Sequence, residues 1–168
     1  FEGFANVINA IRQCSKIVIG RVQGKAVGGG VGLAAATDYC MATSHSDIKL
    51  SELSIGIGPF VIEPAVTRKI GLSAMTKLSL EASTFFSAQW AQEKGLYMKV
   101  CSSLEVLDVE VKRFAEQLCE YNPEALKKLK ETLWKGTEHW SQLLNERASI
   151  SGRLVLSDFT KTQLKKHI

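Results

Sequence analysis

Five glycines fall within nine residues, at Gly24, Gly28, Gly29, Gly30 and Gly32. Before them runs Lys16-Ile17-Val18-Ile19-Gly20-Arg21-Val22, short and β-branched, which reads as a buried strand. After them comes Leu33-Ala34-Ala35-Ala36, a short helix of small residues that must pack closely against something. A strand, a glycine loop and a helix start let backbone approach a ligand and present free N–H groups. Such a terminus favours anions or developing negative charge. The competing reading is that the glycines only permit tight helix packing.

Two phosphate-binding patterns can be tested. A Walker loop needs Ser or Thr after Gly-Lys, but Gly24-Lys25 is followed by Ala26. A dinucleotide fingerprint counted from Gly28 and Gly30 needs a glycine where Leu33 stands. Both fail. The other use of a helix-terminal N–H is to stabilise an oxyanion, where one donor lowers a barrier by roughly 3 kcal/mol. That chemistry needs a nearby acid or base. No Gly-x-Ser-x-Gly is present to suggest a hydrolase triad. Of the carboxylates downstream, Asp38 closes the alanine-rich helix and reads as a capping or pairing group. Asp47 lies in a polar, solvated turn with Ser44, His45 and Ser46. Glu52 follows a strand and precedes Leu53-Ser54-Ile55-Gly56-Ile57-Gly58. It is either a surface loop residue or a carboxylate in apolar surroundings, whose raised pKa suits proton transfer near neutral pH.

Periodicity supplies the frame. Residues 2–14 read as an amphipathic helix through Phe4, Val7, Ile8 and Ile11. Tyr39–Thr43 and Asp47–Leu50 read as strands, and Val100 sits at a strand end. Helices are expected over 60–70, 72–82, 87–95, 104–120, from Pro123 with Leu126, Leu129 and Leu133 inward, over 138–156, and after Ser157. Glycine thins out near residue 60. A βα core followed by a helical layer fits this better than two independent domains.

Charge narrows the partners. Residues 1–103 carry ten basic and seven acidic side chains, and residues 104–168 carry eleven and ten. No basic block points to nucleic acid. Lys127, Lys128 and Lys130 are interleaved with Glu124 and Glu131, so they read as a solvated helix face. Cys14, Cys40, Cys101 and Cys119 show no C-x-x-C pairing and read as free thiols in a reducing compartment, which makes the cytoplasm the expected location. His45, His139 and His167 share no metal-ligand spacing, so no metal is expected. No apolar run is long enough to span a membrane. The opening Phe1-Glu2-Gly3-Phe4 reads as the interior of a longer protein.

The stretch from Ile17 through Gly20-Arg21-Val22-Gln23-Gly24-Lys25-Ala26-Val27-Gly28-Gly29-Gly30-Val31-Gly32 to Asp38 resembles the signature of the crotonase, or enoyl-CoA hydratase/isomerase, superfamily. Leu50-Ser51-Glu52 through Gly58-Pro59 is similar to that family's second segment, and Ser83–Gly95 to a later one. The resemblance covers essentially the whole chain. It implies an α/β fold: a ββα spiral core, here its C-terminal part over residues 1–60, followed by a mainly helical trimerisation region over 61–168 that covers the coenzyme A pocket, the whole read as one truncated domain. It implies acyl-CoA thioester substrates, no covalent cofactor, and a homotrimer or dimer of trimers. Gly29 would donate its N–H to the thioester oxygen, and Glu52 would be the catalytic carboxylate. Gly24, Lys25, Ala26, Val27 and Gly28 would line the pantetheine and adenine pocket.

Three departures from the family pattern shape the expected activity. Gly32 stands where hydratases carry their first catalytic glutamate, so a single carboxylate would move a proton between carbons and isomerisation is favoured over hydration. Phe60 stands where dienoyl isomerases carry an aspartate. Phe60-Val61-Ile62-Glu63-Pro64 replaces a glycine-rich stretch and leaves Glu63 as a reserve acid or a simple helix N-terminal charge. The family's N-terminal β-rich portion, which supplies a second oxyanion donor, is expected to be missing. A non-catalytic acyl-CoA-binding or assembly subunit of the same fold is the alternative.

Overall fold

The structure, a computed structural model, describes residues 1–166; His167 lies outside the described residues. The chain begins with helix α1 (Glu2–Gln13). Strand β1 (Ile19–Val22), strand β2 (Ala26–Val27) and helix α2 (Gly29–Ala36) then make one turn of a spiral. Strand β3 (Tyr39–Thr43), strand β4 (Ile48–Lys49), a 3-10 turn (Glu52–Ile55) and helix α3 (Glu63–Leu80) make the next. Strand β1 pairs in parallel with β3, Ile19 opposite Tyr39, and β2 pairs in parallel with β4, Ala26 opposite Ile48. Parallel neighbours need a crossover, and α2 supplies it. Helix α4 (Ala88–Glu93) leads to strand β5 (Lys99–Cys101), which adds to β3 in parallel and completes the order β1-β3-β5. Helices α5 (Leu104–Cys119), α6 (Pro123–Leu133), α7 (Trp140–Val155) and α8 (Asp158–Lys165) follow.

Local chemistry explains the boundaries. The first strand begins at Ile19 rather than Lys16, because the Val18 N–H donates to Asp38 Oδ2 at 2.7 Å and so leaves the ladder. The two helices expected over 60–70 and 72–82 are the two segments of α3, which meet at a kink where Gly71 takes a non-helical φ of 76°. Ser87, Ser103, Asn122 and Ser157 cap α4, α5, α6 and α8 by accepting backbone N–H groups. The strand at Ala26–Val27 has no counterpart among the expected elements, because two residues inside a glycine loop show no periodicity. The turn read as polar and solvated is partly internal. Ser46 is fully buried, with its hydroxyl on Val22 O and Thr43 Oγ1, and Asp47 accepts the Ala88 N–H.

Helix α2 is buried on most sides, at Val31, Gly32 and Ala34–Ala36. Its small side chains let it lie between α1 and α3. A Cβ on Gly32 would fall 2.2 Å from Cγ2 of Ile62, so no side chain fits at that position.

The second half corrects one expectation outright. Lys130 is not on a solvated face: it is 3% exposed. Its ammonium meets Asp38 Oδ2 at 2.8 Å and donates to Ile11 O and Lys16 O, each at 2.8 Å. Asp38 also accepts Trp134 Nε1–H at 2.7 Å. The inward stripe of α6 and its C-cap is therefore Leu126, Lys130 and Trp134, while Leu129 and Leu133 are exposed. Apolar periodicity points to the leucines; the three oxygens that meet the Lys130 ammonium decide otherwise. Among the described residues no helix is long and apolar enough to cross a membrane.

This buried pair makes a clear prediction. Lys130→Met leaves Asp38 buried without its cation and is expected to cost about 3–5 kcal/mol. Lys128→Ala, on the exposed face, is expected to cost under about 0.5 kcal/mol. Urea denaturation of the two variants checks both values.

Candidate functional site

The site forms where α2 begins. Gly28 has φ of +55°, and its N–H donates to Lys49 O at 2.8 Å, which ends the β2–β4 ladder and turns the chain into α2. Gly29 is the first helical residue, so its N–H has no intrahelical acceptor. Among the described residues no other backbone acceptor takes it. The 3-10 turn after β4 brings Glu52 against the same place. A Cβ on Gly28 would lie 2.9 Å from Glu52 Oε1, so a glycine there allows the carboxylate to approach.

Glu52 and Gly29 line one cavity of about 50 Å³. Phe4, Phe60 and Ile62 give it apolar walls. Glu52 Oε2 is buried and has no hydrogen-bond partner. Burial pushes the carboxyl pKa up, partly opposed by the hydrogen bond from its own backbone N–H. Of the two readings of Glu52, surface loop or apolar surroundings, the geometry selects the second. A helix-start N–H and a protonatable carboxylate thus share a small cavity with mainly apolar walls. Together they can stabilise developing negative charge and move a proton.

The remaining candidates sit elsewhere. Gly24 and Lys25 lie on the approach to β2, Ala26 is buried, and Val27 is 40% exposed. None of the four lines the Glu52 cavity. The ammonium groups of Lys25 and Lys49 each stand 4.5 Å from the centre of the Phe85 ring, a cationic rim beside the loop. Glu63, at the start of α3, is bound by Arg147 Nη1 at 3.0 Å and by Thr67 Oγ1–H at 2.6 Å. It is absent from the cavity wall. Among the described residues no cluster of three or more His, Cys, Asp or Glu could hold a metal ion.

Two cavity residues had no signal in the sequence. Phe4 looks like a core position of an amphipathic helix, yet its ring stands against α2: a Cβ on Gly29 would lie 2.3 Å from it. Ser151 sits in the middle of α7, far along the chain, with nothing local to mark it.

The family model described as enoyl-CoA hydratase/isomerase matches residues 2–166. The peroxisomal Delta(3,5)-Delta(2,4)-dienoyl-CoA isomerase of Arabidopsis thaliana is 32% identical over 156 residues, which is 90% of this chain and 55% of that protein. Enoyl-CoA hydratase AKT6-1 of Alternaria alternata is 30% identical over 120 residues, 71% of this chain and 40% of that protein. The chain thus spans about half the length of these curated relatives or less. Among solved structures, an enoyl-CoA hydratase from Bacillus halodurans superposes with a TM-score of 0.88 at 23% identity, covering 98% of this chain and 66% of that one.

The raised Glu52 pKa has a signed consequence for stability. The folded state holds this proton to higher pH than the unfolded chain does, so ionising Glu52 costs stability as pH rises from the ordinary carboxylate range through the raised value. Glu52→Gln is therefore expected to gain stability over wild type at pH 7 relative to pH 4. Urea midpoints of both proteins at the two pH values test this; a constant difference would contradict it.

Proposed function

We propose that this chain, which belongs to the enoyl-CoA hydratase/isomerase family and carries its crotonase fold, shifts the double bond of an acyl-CoA thioester. The observation that carries the reading is the shared cavity of Gly29 and Glu52. The Gly29 N–H would hydrogen-bond the thioester oxygen as an enolate forms. Glu52 would accept a proton from one carbon, at C2 or C4, and return it to the other, ending as it began. A carboxylate whose pKa is raised by burial is matched to both halves of that transfer.

Isomerisation is favoured over hydration by the packing at residue 32. Hydration in this family uses two carboxylates, and Ile62 fills the space where a side chain on residue 32 would start. Phe60 lines the cavity where the dienoyl branch would place an aspartate. Gly24, Lys25, Ala26, Val27 and Gly28 would line the coenzyme A path, with the Lys25 ammonium available to its phosphates. Glu63, held by Arg147, is kept as a reserve acid only. A trimer or dimer of trimers is part of the proposal. It would cover exposed apolar side chains such as Val109, Leu129 and Leu133, and a sedimentation mass tests it. The free cysteines, Cys40 and Cys101 buried, suit a reducing compartment such as the cytoplasm.

One observation favours a second reading. The Phe4 ring stands against Gly29, which suits a protein that binds acyl-CoA without turning it over. Supplying 3-enoyl-CoA and 2-enoyl-CoA separately distinguishes the two. Wild type is expected to convert the 3-enoyl to the 2-enoyl thioester, and Glu52→Gln to lower kcat by about 10²–10⁴-fold while still binding. Unchanged turnover in Glu52→Gln would sink the mechanism. Thioester binding without turnover by wild type would select the second reading.

A further inference from the structure

We propose that Ser151 is a specificity-determining residue that hydrogen-bonds a neutral oxygen carried on the acyl chain, so that the substrates are short hydroxy- or oxo-acyl thioesters rather than plain hydrocarbon ones. This rests on the acyl-CoA reading above and deepens it.

Ser151 is 1% exposed, lines the Glu52 cavity, and its hydroxyl has no hydrogen-bond partner. Among the described residues the other buried hydroxyls are satisfied. Thr37 donates to Ala34 O, Thr43 pairs with Ser46, Thr137 donates to Trp134 O, and Thr160 pairs with Ser157. Nor does Ser151 use the usual helical outlet. Thr76, Thr132, Ser149 and Thr162 each donate to the carbonyl four residues back, and Ser151 does not. Its hydroxyl is left for the cavity.

Glu52 Oε2, the other orphan polar atom there, does not bond Ser151 either. The two mark separate polar points in a space with aromatic and aliphatic walls. A chain that sets its reacting carbons at Glu52 would carry the atoms beyond them to Ser151. A hydrocarbon chain would bury that hydroxyl unpaired; an oxygen on the chain would pair it. The partner oxygen is neutral, since a carboxylate would be repelled by Glu52 when ionised. The cavity of about 50 Å³ limits the chain to a few atoms. Leaving such a group unpaired weakens binding by roughly ten- to a hundredfold.

The test is calorimetric binding of saturated thioesters, which need no turnover. The probes are 4-hydroxybutyryl-CoA against butyryl-CoA, and 5-hydroxypentanoyl-CoA against pentanoyl-CoA. Wild type is expected to bind at least one hydroxylated thioester tenfold or more tighter than its plain counterpart. Ser151→Ala, which removes the hydroxyl, is expected to erase that preference, with the plain thioesters bound at least as tightly as by wild type because no hydroxyl is then buried unpaired. Equal binding of hydroxylated and plain thioesters by wild type overturns the assignment. So does a Ser151→Ala variant that weakens both alike, since that marks a structural role. If none of the four thioesters binds, the acyl-CoA reading itself falls. Binding without the hydroxyl preference defeats the Ser151 assignment alone.

Discussion

A helix enclosed by its neighbours has room only for small side chains, and the site is built on that constraint at α2. Gly28 just before it and two of its own glycines meet three different partners. Gly28 faces Glu52, Gly29 faces Phe4, and Gly32 faces Ile62. Each approach is closer than a Cβ would permit. The first brings a carboxylate to the helix start, the second brings an aromatic wall, and the third locks α2 against the entry to α3. The glycine loop is therefore both a packing device and a polar one. The two readings of it that compete at the level of sequence describe the same contacts from opposite sides.

The polar joint beneath this packing is Asp38. It takes the N–H of Val18, the indole N–H of Trp134 and the ammonium of Lys130. Lys130 in turn reaches the carbonyls of Ile11 and Lys16. One carboxylate thus ties the end of α1, the approach to β1, the corner between α2 and β3, and α6. Buried charges are tolerated only when paired and hydrogen-bonded on every side, and here both partners are. The joint holds α1, and with it Phe4, over the mouth of α2. The cavity shows the opposite arrangement. Glu52 Oε2 and Ser151 Oγ are buried without partners. A protein that satisfies its other buried hydroxyls and leaves two polar atoms bare in one small space has sacrificed some stability there.

Much of this was legible along the chain because its causes are local. The β-branched run, the glycine cluster and the capping residues Ser87, Ser103, Asn122 and Ser157 announce their elements within a few residues. Glu52 could be singled out because a carboxylate between a strand and an apolar loop is unusual in itself. The pairing role of Asp38 was readable from its place at the end of the alanine helix. The inward surface of α6 is not legible locally, because periodicity assigns Leu129 and Leu133 inward and no local rule says that Lys130 will find two carbonyls and a carboxylate. Ser151 left no mark for the same reason.

The sequence by itself determined the order of most strands and helices, the glycine loop ahead of the alanine helix, and the carboxylate at residue 52. Those depend on backbone preferences and on neighbours a few positions apart. Only the tertiary structure decided that Glu52 is half-buried with its Oε2 out of solvent, that Ile62 occupies the space at residue 32, that Lys130 lies inside, and that a serine in α7 shares the cavity of α2. These are contacts between residues 24 to 122 positions apart. Whether a polar group is buried, and against what, depends on which distant surfaces close over it, and periodicity carries no record of that.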